Sequence, residues 1–305
     1  MDLLTSPLAL RRWAVASLVA NMVIIVTGGL VRVTDSGLGC STWPQCEPGS
    51  YLPHPEAGLH AFIEFGNRLL TFVLVAVALG AFLSAWRART ADGAPLRRAR
   101  WLTFGIGLGI IAQAVIGGIS VRTQLNPWVV GLHLIPSIGL VGACVVLVHE
   151  AYGLRRTPVT PRVRRLVWLA LGLGLAVMVV GAIVTGSGPL AGDGAVHRNG
   201  LDPTATARVH SLGVWALVGI TIALVVWTNG RARRAALLLL ATELLQGAIG
   251  YAQYALSLPP ALVTAHMAGT TLFTAALTHL WWSTRDASTA GAGEPATTLR
   301  QAQGS

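Results

Sequence analysis

The chain contains eight stretches of about 20 mostly apolar residues, and this feature limits its fold more than any other. A helix of that length spans the hydrocarbon core of a lipid bilayer. The stretches are residues 13–33, 59–86, 101–121, 128–150, 166–186, 205–228, 235–258 and 260–282. They predict an all-α polytopic membrane protein with eight transmembrane helices.

Composition supports this prediction and excludes two other classes of protein. Only 11% of the 305 residues are charged, whereas a soluble domain has about 25%. A soluble two-domain enzyme, which the length would allow, is therefore excluded. A nucleic-acid-binding protein is excluded too, although the net charge is +10 and every basic residue is an arginine.

The arginines predict the orientation of the chain, because cytoplasmic loops retain positive charge. Of the 22 arginines, 17 precede the first span, follow the last, or join spans 2 to 3, 4 to 5 and 6 to 7. The opposite loops contain acidic residues, namely Asp35, Glu47, Glu56, Asp193 and Asp202. We therefore expect both termini to be cytoplasmic, with a disordered cytoplasmic tail over residues 286–305.

Spans 1–4 and 5–8 resemble two copies of one unit. Gln113, Gly117 and His133 recur as Gln246, Gly250 and His266, each displaced by the same 133 residues. Because each half has four spans, the copies share one orientation and form a parallel repeat. We expect two tandem four-helix bundles, an N-terminal half over residues 1–150 and a C-terminal half over residues 151–285.

Polar side chains lie at similar depth in the four even-numbered spans, in the third of the membrane on the side away from the arginines. His133, His210 and His266 are each about five residues into their spans. Span 2 contributes residues whose spacing places them on one helical face, namely His60, Glu64 and Asn67. Ionisable groups in a bilayer usually face a functional interior. For one histidine alone, a structural hydrogen bond is an equally good interpretation.

Histidines from two facing helices are the arrangement that ligates a haem iron axially, whereas zinc needs three or four converging ligands. His210 pairs with His266 in the second half, and His133 pairs with a residue of span 2. Four arginines at the same boundary are candidates for propionate contacts or for contacts with lipid phosphates, namely Arg32, Arg68, Arg122 and Arg208. The residues therefore predict two haem sites near the outer face.

Two cysteines, Cys40 and Cys46, lie in the first outer loop. A pair at this spacing in an oxidising compartment is well placed to form a disulfide. The bond is either a structural link within the loop or one that cycles between redox states.

These residues together resemble the haem A synthase family. The resemblance covers roughly residues 10–285, and its most specific parts are the first outer loop and the span 2 motif, Glu64-x-x-Asn67-Arg68. It implies an oxidoreductase that acts on a CH3 group, converting the C8 methyl of haem O to a formyl group. Two hydroxylations with oxygen drawn from water would precede loss of water from the gem-diol.

The resemblance also implies where each haem is held. His210 and His266 would be the axial ligands of a haem b cofactor, and His133 would face the iron of the substrate haem. Glu64 matches the family's glutamate, for which an acid/base role is physically reasonable. The Cys40/Cys46 pair matches members with a loop disulfide. Haem O synthase is the functional partner to expect, beside the lipid bilayer and an unidentified electron-transfer partner.

The chain departs from the family at Asn67, where a histidine is usual. By the repeat register Asn67 also falls where His210 falls in the second half. Either the substrate iron has one protein ligand, or His60, two turns outward on the same face, replaces the missing histidine.

Two other classes of protein compete with a synthase. A dihaem b-type transmembrane electron carrier, or quinol oxidoreductase, explains the paired histidines equally well but has no need of Glu64 or of an asymmetric first site. A transporter explains the duplication, but the halves show no broken-helix pattern.

Overall fold

The computed structural model describes residues 7–54, 58–90, 93–189 and 197–285, and these form eight long α-helices. The helices are α1 Pro7–Val33, α2 Gly58–Arg87, α3 Arg97–Arg122, α4 Pro127–Tyr152, α5 Pro161–Ser187, α6 Pro203–Trp227, α7 Gly230–Ala255 and α8 Pro260–Ser283. Each predicted span falls on one of them, and all eight are long and apolar enough to cross a membrane. The predicted eight-helix membrane fold is therefore confirmed. Three features discussed above lie outside the described residues, namely Glu56, Asp193 and the tail 286–305 that is predicted to be disordered.

Several helices begin where the sequence places a proline at the first helical position. This occurs at α4, α5, α6 and α8, which start at Pro127, Pro161, Pro203 and Pro260. Proline suits this position because it has no N–H to leave unsatisfied. Three of these starts also have a side chain that caps a free backbone N–H, from Asn126, Thr160 and Asp202.

The helices pack as two rings of four. In the first half α1, α2, α3 and α4 contact their neighbours in turn and α4 returns to α1, and α5 to α8 repeat the same pattern in the second half. Within each ring the backbones of the diagonal helices stay more than 8 Å apart among the described residues, so α2 and α4, and likewise α6 and α8, face each other across the interior of a bundle. The two halves meet through α1, α4, α5 and α8.

The two faces of the molecule differ, and we name them by their residues. The loop face contains the helix ends at Val33, Gly58, Arg122, Pro127, Ser187, Pro203, Ala255 and Pro260. The arginine face contains the other helix ends and the connections between α2 and α3, α4 and α5, and α6 and α7, with arginines in these connections or in the adjoining helix turns. His133, His210 and His266 all lie within two turns of the loop face.

At the arginine face, two histidines join the halves. His149 of α4 is only 3% exposed, stacks on Trp282 of α8 and lies 3.0 Å from His279 Nδ1 through its Nε2. Close by, residues 153–160 connect the halves. In this connection the backbone N–H of Thr157 donates to the Ser283 carbonyl at 2.7 Å, and the Arg156 guanidinium lies over the Trp282 ring.

Candidate functional site

His210 and His266 project from the diagonal helices α6 and α8 of the second half. Both rings are partly buried, and they are close enough for an electrostatic interaction between them. Because the backbones of α6 and α8 are separated, the space between these histidines belongs to the bundle interior. The predicted pair is therefore brought to one interior site.

The hydrogen bond of His210 determines which of its ring nitrogens can bind a metal. Its Nδ1 lies 3.0 Å from the Val177 carbonyl oxygen. A carbonyl can only accept, so Nδ1 carries the proton and donates it. In the neutral ring Nε2 then has a free lone pair, which is the usual arrangement of a metal-binding histidine.

Each of the three predicted iron ligands packs its ring against a glycine of the preceding helix. A β-carbon at Gly181 would lie 3.1 Å from His210 Cε1, and one at Gly117 or Gly250 would lie 3.3 Å or 3.5 Å from Cε1 of the corresponding histidine. These glycines let the imidazole approach the neighbouring helix closely. Nδ1 of His133 and of His266 is buried and makes no hydrogen bond among the described residues.

The first half differs from the second at the position of Asn67. The Asn67 Oδ1 accepts a hydrogen bond from Thr27 Oγ1 at 2.7 Å. Thr27 and Thr185 each donate to the carbonyl four residues earlier, which belongs to Val23 in the first half and to Gly181 in the second. Val23 thus replaces the glycine that contacts the imidazole in the second half. The first half therefore lacks both the second histidine and the glycine that makes room for its ring.

His60 lies at the loop face end of α2 and is exposed. Its Nδ1 is 3.0 Å from Ser36 Oγ in the first outer loop, so the ring is held toward the loop. The other ring nitrogen is the one left for a metal.

Glu64 is 5% exposed and fully bonded on both oxygens. Its Oε2 accepts from the Cys40 backbone N–H at 2.7 Å, and its Oε1 forms an ion pair with Arg68 one turn away. The Arg68 guanidinium also donates to the carbonyls of Thr42 and Gln45 at 3.0 and 3.1 Å. The Glu64–Arg68 pair therefore links α2 to the first outer loop at several points.

The first outer loop is closed by a disulfide between Cys40 and Cys46, as the sequence predicts. Both cysteines are buried. The ring of Trp43 packs directly on Gly118 of α3, and the Arg122 guanidinium donates to the Trp43 carbonyl at 3.2 Å. The loop thus lies over the ends of α2 and α3.

Gly39 makes the closest approach of this loop to α2, and we expect Gly39→Ala to detach it. A β-carbon there would lie 2.5 Å from the His60 carbonyl oxygen and 2.6 Å from the Ala61 nitrogen. Helix backbone cannot move aside, so we expect a loss of about 1–3 kcal/mol in stability and faster proteolysis within the loop. Gly66→Ala, where nothing lies within 4 Å of the added carbon, is the matched control. Equal unfolding temperatures and proteolysis rates for the two variants would contradict this contact.

The four predicted propionate-binding arginines have different surroundings. Arg68 is engaged with Glu64 and the loop, and Arg122 is exposed beside Trp43. Arg32 reaches across to the second half, where it donates to the Thr185 carbonyl at 3.0 Å. Arg208 is exposed, two residues from His210. Arg32 is thus the one of these four that contacts both halves.

The structure adds residues that the sequence analysis did not single out. The Val177 carbonyl and Gly181 could not have been identified, because a backbone acceptor and a packing glycine have no distinctive sequence signal. Glu243 could have been identified from the sequence, since an acidic residue in the middle of an apolar span is itself a signal of a functional residue. Across the described ranges, no three His, Cys, Asp or Glu side chains are grouped so as to hold a metal ion.

The fold and these sites define a multi-pass membrane protein with two histidine-containing bundle interiors, one of them covered by a disulfide-closed loop. Residues 11–191 match the cytochrome oxidase assembly protein family, COX15-CtaA. The match covers more than half of the chain, and the protein belongs to this family.

Several relatives are named heme A synthase, which agrees with the resemblance found in the sequence. The protein of Lysinibacillus sphaericus (strain C3-41) is 35% identical over 139 residues, covering 45% of this chain and 43% of the relative. That of Bradyrhizobium sp. (strain BTAi1) is 31% identical over 210 residues, covering 58% and 57%. That of Symbiobacterium thermophilum is 26% identical over 242 residues, covering 73% and 76%. The first two matches span only about half the length of those relatives.

Proposed function

We propose that this protein is a haem A synthase, an oxidoreductase that converts the C8 methyl group of haem O to a formyl group. The asymmetry of the two bundles is the observation that carries the proposal. The second half has two histidines on diagonal helices, as suits a cofactor that is retained. Near the loop face of the first half, His133 has Asn67 instead of a second histidine on the diagonal helix, and the carboxylate of Glu64 is buried beside the loop, as suits a substrate that is bound, oxidised and released.

The overall reaction needs two oxidation steps and two water molecules. Each step replaces a C–H bond of the methyl carbon by a C–O bond, with oxygen from water, and releases two electrons and two protons. The resulting gem-diol loses one water to give the formyl group. The site must therefore transfer protons and pass electrons onward.

The second half supplies the residues for a haem b cofactor. His210 presents Nε2 because Nδ1 is bonded to Val177, and His266 faces it across the interior, so the donor set fits axial ligation. When bound, haem b supplies one-electron redox chemistry. The glycines Gly181 and Gly250 let the two rings contact α5 and α7 closely, which restricts their rotation.

In the first half His133 would bind the substrate iron, and Glu64 would accept protons released as water adds to the methyl carbon. The Cys40 N–H and Arg68 fix the orientation of the carboxylate. Both contacts stabilise the ionised form of the carboxyl group, which is the form that accepts a proton. Arg32, close to both halves, is the best candidate for a propionate contact, while Arg122 and Arg208 are placed equally well for lipid phosphates.

The chain would lie in the cell membrane with its arginine face and both termini in the cytoplasm, because positive charge is retained there. Both haems would then lie toward the extracytoplasmic side, since the three histidines are near the loop face. A haem O synthase would supply the substrate, and an electron-transfer partner would accept the electrons.

The test is haem extraction and mass analysis from membranes that contain this chain and an enzyme producing haem O. We expect haem A, or a hydroxylated intermediate, only when this chain is present. Folded protein that contains haem B and leaves haem O unchanged would favour the dihaem electron carrier instead.

Replacing His60 tests whether it substitutes for the histidine missing at Asn67. Because the His60 ring is exposed at the loop face and is held toward the first outer loop by Ser36, we expect His60→Ala to leave substrate-haem affinity within about threefold of the wild type. We expect His133→Ala to lower that affinity at least tenfold. Binding is measured by titration of the haem-free first site with haem O. A loss with His60→Ala as large as that with His133→Ala would identify His60 as a ligand.

A further inference from the structure

Glu243 is a buried carboxyl group that the proposed reaction does not use. It lies near the middle of α7 and is 3% exposed. Its Oε1 accepts a hydrogen bond from Thr221 Oγ1 of α6 at 2.8 Å, and Thr221 is itself fully buried. Its Oε2 is buried with no hydrogen-bond donor in the described part of the chain. Burying a carboxylate with one hydrogen-bond donor in a bilayer costs free energy. We therefore expect an acid at this position to have a function.

The repeat shows that this polar pair is specific to the second half. The register that relates Gln113 to Gln246 places Ile110 opposite Glu243, and the register that relates Asn67 to His210 places Ala78 opposite Thr221. Ile110 and Ala78 are buried. Packing of a four-helix unit therefore does not require polar groups at these positions. The half that contains His210 and His266 has polar residues at these two positions, and the other half has apolar residues there.

Glu243 lies close to the histidine pair without contacting it. Gly250, which touches His266, is seven residues away on the same helix, or about 10 Å along its axis. Charges separated by a distance of this order in a medium of low dielectric constant interact appreciably, so charge at the haem changes the stability of a carboxylate at Glu243.

A line of polar side chains on α7 connects Glu243 with the loop face. Gln246 is next, and its Nε2 donates to the His266 carbonyl at 3.0 Å. Gln253 lies two turns further on. The side-chain carbonyl oxygens of both glutamines are buried and have no protein donor among the described residues. We expect this line of polar groups to be the route by which protons reach Glu243 from the loop face.

We propose that Glu243 is a proton-binding site coupled to the haem of the second half. The inference rests on the proposed function, which places that haem between His210 and His266. When the bound haem gains one electron from substrate oxidation, the Glu243 carboxylate takes up one of the protons that the oxidation releases and becomes a carboxylic acid. One electron and one proton enter together, so the net charge within the bilayer does not change.

The other titratable groups on the helices packed against α7 are few. They are Arg208 and His210 on α6 and His266 and His279 on α8, and α7 itself contributes Glu243, Tyr251, Tyr254 and the arginines of its first turns. Of these, Glu243 alone is an acid buried at mid-helix. It is therefore the group whose proton affinity should respond most to the charge on the haem.

The test is a redox titration of the purified, haem-loaded protein at a series of pH values. We expect the midpoint potential of the wild type to fall as pH rises, and the potential of Glu243→Gln to lose this dependence while haem content stays normal. Thr221→Val removes the donor that stabilises the carboxylate, so the pH range of the dependence should move upward. Glu150→Gln, at the arginine face of the first half, is the control and should behave as the wild type.

A second measurement does not depend on any variant. The infrared difference spectrum between reduced and oxidised wild-type protein should show a carboxylic acid C=O band on reduction, shifted in D2O. A pH-independent wild-type potential, an unchanged dependence in Glu243→Gln, or the absence of this band would overturn the proton site. A wild type that binds no haem, or haem retained after loss of both His210 and His266, would instead overturn the proposed function.

Discussion

Alanine in place of His210 or His266 should remove haem b from the second half. Each substitution deletes one of the two proposed haem ligands, and His210→Ala also leaves the Val177 carbonyl without its donor. We expect the low-spin haem spectrum to disappear and bound haem b to fall at least tenfold in either variant. The measurement is the haem content per protein after purification, together with the reduced-minus-oxidised absorption spectrum.

The control for this pair is His197→Ala, since His197 is an exposed loop histidine. It should retain the full spectrum. His133→Ala should also retain haem b, because His133 belongs to the other bundle. If both His210→Ala and His266→Ala keep a full low-spin spectrum, the assignment of the ligands is wrong.

Glu64→Gln should stop the conversion of haem O while haem b remains bound. The substitution keeps the shape of the side chain and removes its ability to accept a proton, and general acid–base catalysis typically contributes about 100-fold or more. We expect the ratio of haem A to haem O in membranes to fall by about this factor. Haem b content reports whether the second half is still folded.

The ion pair with Arg68 makes a second variant necessary, since Glu64→Gln also weakens the link between α2 and the first outer loop. Arg68→Gln breaks the same ion pair but keeps the carboxylate. If chemistry is the main role of Glu64, Arg68→Gln should retain much more activity than Glu64→Gln. Equal losses, accompanied by equal increases in loop proteolysis, would show that the glutamate acts by holding the loop.

The helices were predictable because each transmembrane segment must satisfy its own backbone and present an apolar surface to lipid. Hydropathy and helix length therefore located all eight. The depth of His133, His210 and His266 in their spans made them candidates for a site, since polar groups at one level in alternate helices are rarely accidental. The Cys40–Cys46 bond also followed from local spacing and is present.

Contacts between distant segments were not predictable in this way. The Val177 carbonyl that orients His210 is 33 residues away, and the Ser36 hydroxyl that holds His60 is 24 residues away. Neither has a local signal, because both depend on how helices and loops pack. The sequence alone was enough to recognise Asn67 as a departure from the family pattern. The matching change from glycine to Val23 became visible only when the hydrogen bonds of α1 and α5 were compared.

The connection between the halves has a consequence for how the molecule is held together. Residues 153–160 are fastened to the end of α8 by Thr157, and Arg156 lies on Trp282, beside the stacked rings of His149 and His279. At the opposite face, Arg32 crosses to Thr185. The halves are thus bonded to each other at both membrane surfaces, independently of the peptide chain. A break in this connection would separate the covalent chain into two fragments but not the assembled protein, as in a noncovalent heterodimer.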